Sequence, residues 1–137
     1  MREQWFDICG CGISVRAVML PSRRAFVRYA KKTRGTDLSF DIRRTVAWAQ
    51  KYGEDSGRPL SEFGEVVFWS GAADLDTVSH ECFHIGYGIM IAWQTIDEDC
   101  MPKDVRLNPV RHEESGASVC GELTSAVWKW ICEVDAA

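Results

Sequence analysis

The sequence predicts one α+β domain over residues 1–137: a short mixed sheet, a helix carrying His80 and His84, and a C-terminal helix. Three observations lead there. Residues 13–20 alternate at the period of a strand, with Ile13, Val15, Ala17 and Met19 on one side. Val78, His80, Glu81, Phe83, His84 and Ile85 follow capping acids at Asp74 and Asp76 and predict a helix running toward Trp93. Finally, Val119, Leu123, Val127, Trp130, Ile131 and Val134 recur at three and four residues, an apolar stripe along a helix. A chain of this length can bury about two-thirds of its unfolded surface, so it does not need disulfides to fold.

The strand at 13–20 ends at Pro21 and Ser22. Ser22 is a plausible N-cap for a helix over 23–34, where Phe26, Val27 and Ala30 are helically spaced; Lys31, Lys32 and Arg34 suit its C-terminus before Gly35. Leu38, Phe40 and Ile42 alternate again, and Thr45, Val46 and Trp48 can prolong that strand, although Ala47, Ala49 and Gln50 also permit a helix. Residues 52–61, with Gly53, Gly57 and Pro59, read as a loop. Residues 65–70 form the strand before the motif. If it lies at a sheet edge, a peptide could add alongside it; Val66, Val67, Phe68 and Trp69 in succession equally fit a strand buried on both faces. Residues 95–108 are acidic and irregular, and Asn108 with Pro109 opens the last helix.

Apolar residues make up 46% and charged residues 26%, which excludes a disordered chain. The net charge of -4, with cations scattered among acids, predicts no nucleic-acid partner. With no signal-like or membrane-length apolar run, the expected compartment is the cytoplasm, where Cys9, Cys11, Cys82, Cys100, Cys120 and Cys132 are expected as free thiols.

His80-Glu81-Cys82-Phe83-His84 is H-E-x-x-H. Residues four apart share one helix face, so both imidazoles can reach one tetrahedral zinc ion while Glu81 stands beside them as a general base. A catalytic zinc needs a third protein ligand and an open position. The metzincin continuation H-x-x-G-x-x-H is absent, because its Gly and His positions hold Tyr87 and Met90. The remaining candidates are Asp97, Glu98, Asp99, His112, Glu113 and Glu114. Glu114 lies one turn from Ala117 and two from Gly121, small residues expected to let the last helix approach Gly86 and Gly88; Glu113 is rotated about 100° away.

With Glu114-Ser115-Gly116-Ala117 reading E-x-x-A after H-E-x-x-H, the chain resembles the zincins of the gluzincin type over residues 65–132. Small stand-alone peptidases encoded by phages look similar, with an E-E-x-x-A helix matched by Glu113 to Ala117. The resemblance implies a minimal zincin-like fold whose C-terminal helix delivers Glu114 as third ligand, with zinc as cofactor and a peptide or protein as substrate. Ser118 departs from the pattern where an acidic or amide residue often orients a ligand histidine. His112 and Tyr87 are candidate donors to an oxyanion. The competing readings are a zincin-fold binding or regulatory module of a phage or counter-defence kind that hydrolyses nothing, and a structural zinc closed by His112 or Cys100.

Overall fold

The computed structural model describes residues 1–8, 13–34, 45, 47–52, 56–59, 61–95 and 109–136, with no side-chain description at 34, 92–95, 109–115 and 135–136. Four strands, β1 (Arg2–Ile8), β2 (Ile13–Leu20), β3 (Ala47–Lys51) and β4 (Glu62–Trp69), form one sheet in the order β1-β2-β4-β3. Helix α1 (Arg23–Arg34) covers one face, and α2 (Leu75–Thr95) and α3 (Pro109–Ala136) cover the other. The chain is a mixed α+β fold.

The pleat sorts β2 between two cores. Val15, Ala17 and Met19 face α2 and α3 together with Val66, Phe68, Ile85, Ile89, Leu123 and Val127, while Val18 and Leu20 face α1 with Phe26, Trp48 and Val67. Each fully buried Val, Ile, Leu or Phe contributes about 1.5–3 kcal/mol. β2 and β4 are parallel and joined through α1 and β3; β1 and β3 pair antiparallel on the outside. The predicted elements at 13–20 and 23–34 coincide with β2 and α1. β1 was not foreseen: its outward positions are exposed, and only its pairing with β2, from Arg2 opposite Met19 to Ile8 opposite Ile13, draws it into the sheet.

Residues 65–69 belong to β4, an interior strand, and Ser70 to the turn after it, which corrects the edge-strand reading: β4 is paired on both sides because its apolar residues feed both cores. Among the described residues β3 pairs only with β4, and it is the outer strand nearest α2. Tyr52 N–H donates to Phe63 O at 2.9 Å, and antiparallel alternation then turns the backbone groups of Gln50 and Trp48 toward β4 and those of Lys51, Ala49 and Ala47 outward. The strand expected at Leu38, Phe40 and Ile42 lies outside the described residues.

Helix α2 begins as predicted at an aspartate. Asp74 Oδ1 accepts the Thr77 N–H at 2.7 Å, so Asp74 is the N-cap, and Asp76 sits in the first turn, where the helix dipole favours an anion. Val78, Cys82, Ile85 and Ile89 form its buried stripe. α3 packs along it through small residues: Gly86 lies against Cys120 Sγ and Gly116 against Met90. No helix among the described residues is long and apolar enough to cross a membrane.

Candidate metal centre

His80, Glu81 and His84 occupy the second and third turns of α2. The apolar stripe that anchors the helix leaves His80 and His84 exposed, with Glu81 between that face and the sheet, half-buried. The imidazoles converge: His80 Nε2 and His84 Nε2 are 3.1 Å apart and the ring planes cross at 81°. Two nitrogens bound about 2.0–2.1 Å from one tetrahedral zinc ion stand about 3.3 Å apart. The same separation suits a neutral pair in which one ring donates to the other, so the geometry fits two ligands of a metal ion without requiring one.

Glu81 is held from the other side. Burial raises its carboxyl pKa above the usual carboxylate value, against the pull of His80, His84 and a hydrogen bond from the Ala49 backbone N–H. Ala49 is one of the outward-facing residues of the edge strand β3. The carboxylate therefore lies between the imidazole pair and the outward side of β3.

Tyr87, the proposed oxyanion donor, lies three residues beyond His84 and is exposed; its ring stacks on Phe83 at 6.0 Å. Cys82 is buried among apolar groups, which push its thiol up to about 12, a non-nucleophilic role in which its hydrogen bond is to Thr124 of α3. Cys82, Cys120 and Cys132 are free thiols.

The third ligand is less simply placed. The small-residue face expected to meet α2 does not do so: Ala117 and Gly121 are exposed, and nothing lies within 4 Å of a side chain built at Gly121. Gly116 and Cys120 make the approach instead, because α3 turns Val119, Leu123 and Val127 into the core, and Gly116 and Cys120 flank that stripe on the α2 side. At 100° per residue the backbone position of Glu113 falls on the Gly116 and Cys120 side, and that of Glu114 about 120° from Cys120. Met90, which Gly116 meets, is six residues past His84, about 9 Å along the axis. The first turn of α3 thus lies toward the C-terminal half of α2. The side chains of His112, Glu113 and Glu114, and residues 97–99 and Cys100, lie outside the described residues. Among the described residues, no group of three or more His, Cys, Asp or Glu side chains is arranged to hold a metal ion.

The chain matches no family model, no curated protein and no solved structure.

Proposed function

We propose that the protein is a zincin-like, zinc-dependent hydrolase acting on a peptide bond, with His80 and His84 as metal ligands, Glu114 as the third ligand and Glu81 as general base. The observation that carries this reading is the convergence of two imidazole Nε2 atoms at 3.1 Å beside a carboxylate of raised pKa. When bound, zinc would supply the Lewis acidity that polarises a carbonyl and lowers the pKa of water toward about 7.

The protein's own groups have distinct tasks. Glu81 takes a proton from the attacking water and returns it to the departing amine nitrogen. The outward N–H and C=O groups of Ala47, Ala49 and Lys51 give an extended peptide a strand to pair with, next to that carboxylate. The strand-pairing role first assigned to residues 65–70 passes to β3. Glu114 keeps the role that the E-x-x-A spacing suggests, and Glu113 stands beside it as the acid whose backbone position falls on the α2 side.

Zinc stoichiometry of the purified protein tests the ligands. One equivalent is expected for the wild type and Glu81→Gln, with loss in His80→Ala and His84→Ala. Full retention in His84→Ala overturns the centre. Glu114→Gln and Glu113→Gln, measured alike, assign the third ligand by which one loses metal; retention in both moves it to residues 97–99 or to His112. A biological effect that survives in metal-replete Glu81→Gln identifies a binding module in place of an enzyme.

A further inference from the structure

The whole-chain charge of -4 hides an uneven distribution. Arg24, Arg28, Lys31 and Lys32 are all exposed on α1, and at 100° per residue they fall within about 100° of arc, opposite the Phe26 and Ala30 side that packs on the sheet. The 12-residue helix, about 18 Å long, contains no acidic residue. None of the four has an ion-pair partner among the described residues.

Folding accounts for only part of this stripe. Lys31 and Lys32 lie near the C-terminal end, where the helix dipole favours cations. Arg24 is in the first turn, where the dipole opposes a cation, and it stands one turn from Arg28, which in turn stands one turn from Lys32; like charges so spaced destabilise a helix by about 0.2–0.5 kcal/mol per pair. Arg23, its neighbour, has a structural use, since its guanidinium donates to Thr45 O at 3.3 Å. Arg24 and Arg28 have none among the described residues. They are charges the fold tolerates.

We infer that the outer face of α1 is a binding surface for the phosphate backbone of a nucleic acid, independent of base sequence. The face is all cation: Phe26 and Ala30 are buried and Tyr29 is turned to the Glu65 carboxylate, so it lacks the apolar centre that a protein interface needs. A phosphodiester backbone asks only for positive charge, and Arg24, Arg28 and Lys32 recur about every 6 Å along the axis, a row that a strand of phosphates can follow. The surface lies on the opposite side of the sheet from His80 and His84, so it stands apart from the hydrolase reading.

Fluorescence anisotropy with a labelled 20-nucleotide duplex of arbitrary sequence tests this. Four neutralised phosphates predict a log-log salt slope of about -3.6, or on the order of 100-fold weaker binding from about 50 to about 200 mM salt. Replacing all four residues with Gln is expected to abolish binding with little net change in melting temperature, since relief of the mutual repulsion offsets the lost helix-dipole contacts of Lys31 and Lys32. The charge-conserving R24K/R28K/K31R/K32R variant is expected to bind within a few fold of wild type. No binding by the wild type at low salt, or undiminished binding by the Gln variant, overturns the inference. Tighter binding of a polyglutamate peptide of equal charge also overturns it, by naming an acidic protein as the partner.

Discussion

The backbone N–H of Ala49, on the outer side of β3, faces the carboxylate of Glu81, the second residue of the H-E-x-x-H segment, and favours its ionised form against the effect of burial. One residue thereby belongs both to the candidate chemistry and to the strand on which a peptide would lie. On the proposed reading, a peptide paired with β3 would compete for that N–H and free the carboxylate.

Burial raises the Glu81 pKa, and the sign of its effect on pH follows. As a base Glu81 must be ionised, so the acid limb of kcat/KM is expected above the ordinary value of 4.5 and is expected to vanish with the residual activity of Glu81→Gln. For folding, a raised acid contributes stability that is fully present below its unfolded pKa and lost as pH rises through the folded one. Glu81→Gln is therefore expected to match or exceed the wild-type melting temperature at neutral pH. A lower one would mean that the ionised carboxylate holds β3 against α2.

Cys120 Sγ rests on the Cα of Gly86, so a methyl group there would collide with it. Helix propensity alone favours Ala over Gly by about 1 kcal/mol, whereas overpacking at a tight contact costs about 1–3 kcal/mol. Gly86→Ala is expected to be net destabilising in urea unfolding, and Gly86→Ala with Cys120→Ala to recover most of the loss. If the single substitution stabilises the protein, the helices do not meet there.

Periodicity revealed what depends on local apolar spacing. The bounds of β2 and α1 were legible from alternation and capping, and α2 from the acids at 74 and 76 ahead of Val78, His80, Glu81, Phe83, His84 and Ile85. β1 was not legible, because Arg2, Glu3 and Gln4 acquire strand structure only by pairing with β2. The edge role of β3 was hidden for a related reason: strand order depends on contacts distant in sequence, and the apolar run of β4 fits an edge or a centre until its neighbours are known. Of the candidate site, His80, Glu81 and His84 were legible from spacing. The Ala49 contact was not, and a clue lay only in the helix-or-strand ambiguity of residues 45–50. Small residues alone misassigned the face of α3, since Cys120 and Gly116, and not Ala117 and Gly121, meet α2 at Gly86 and Met90.

Asp74 is exposed, and hydrogen bonding to Thr77 at the α2 N-terminus lowers its pKa below the ordinary 3.8. A lowered acid contributes stability that is present above its unfolded pKa and lost as pH falls through the folded one. Asp74→Ala is expected to lower the melting temperature at pH 7, and the difference from wild type is expected to shrink in acid. Asp74→Asn keeps an acceptor for the Thr77 N–H and is expected to lose less, with little pH dependence. An Asp74→Ala deficit unchanged between neutral and strongly acid pH would remove the charged cap as its cause.

On the α1 face of the sheet, Trp5, Arg16, Glu65 and Gln50 stand in one row across all four strands. Glu65, 1% exposed, accepts from Arg16 at 2.6 Å, Tyr29 at 3.0 Å, Gln50 at 2.5 Å and Tyr52 at 3.3 Å. Burial and the neighbouring carboxylate push the Tyr52 phenol up to about 12 and raise that of Tyr29 as well, so both remain donors through the ordinary tyrosine titration. Removing only the acid leaves Arg16 half-stranded. Glu65→Ala is expected to cost about 3–5 kcal/mol in urea unfolding, and the joint Arg16→Met and Glu65→Leu replacement much less, because desolvation of the pair offsets most of its attraction. Ultraviolet titration is expected to show two of the three tyrosines ionising well above pH 10 in the wild type, and at a lower pH that still exceeds 10 once Glu65 is replaced by Leu, because burial persists without the carboxylate. A cost below about 1 kcal/mol for Glu65→Ala would show that water reaches this row and that the sheet does not depend on its buried charge.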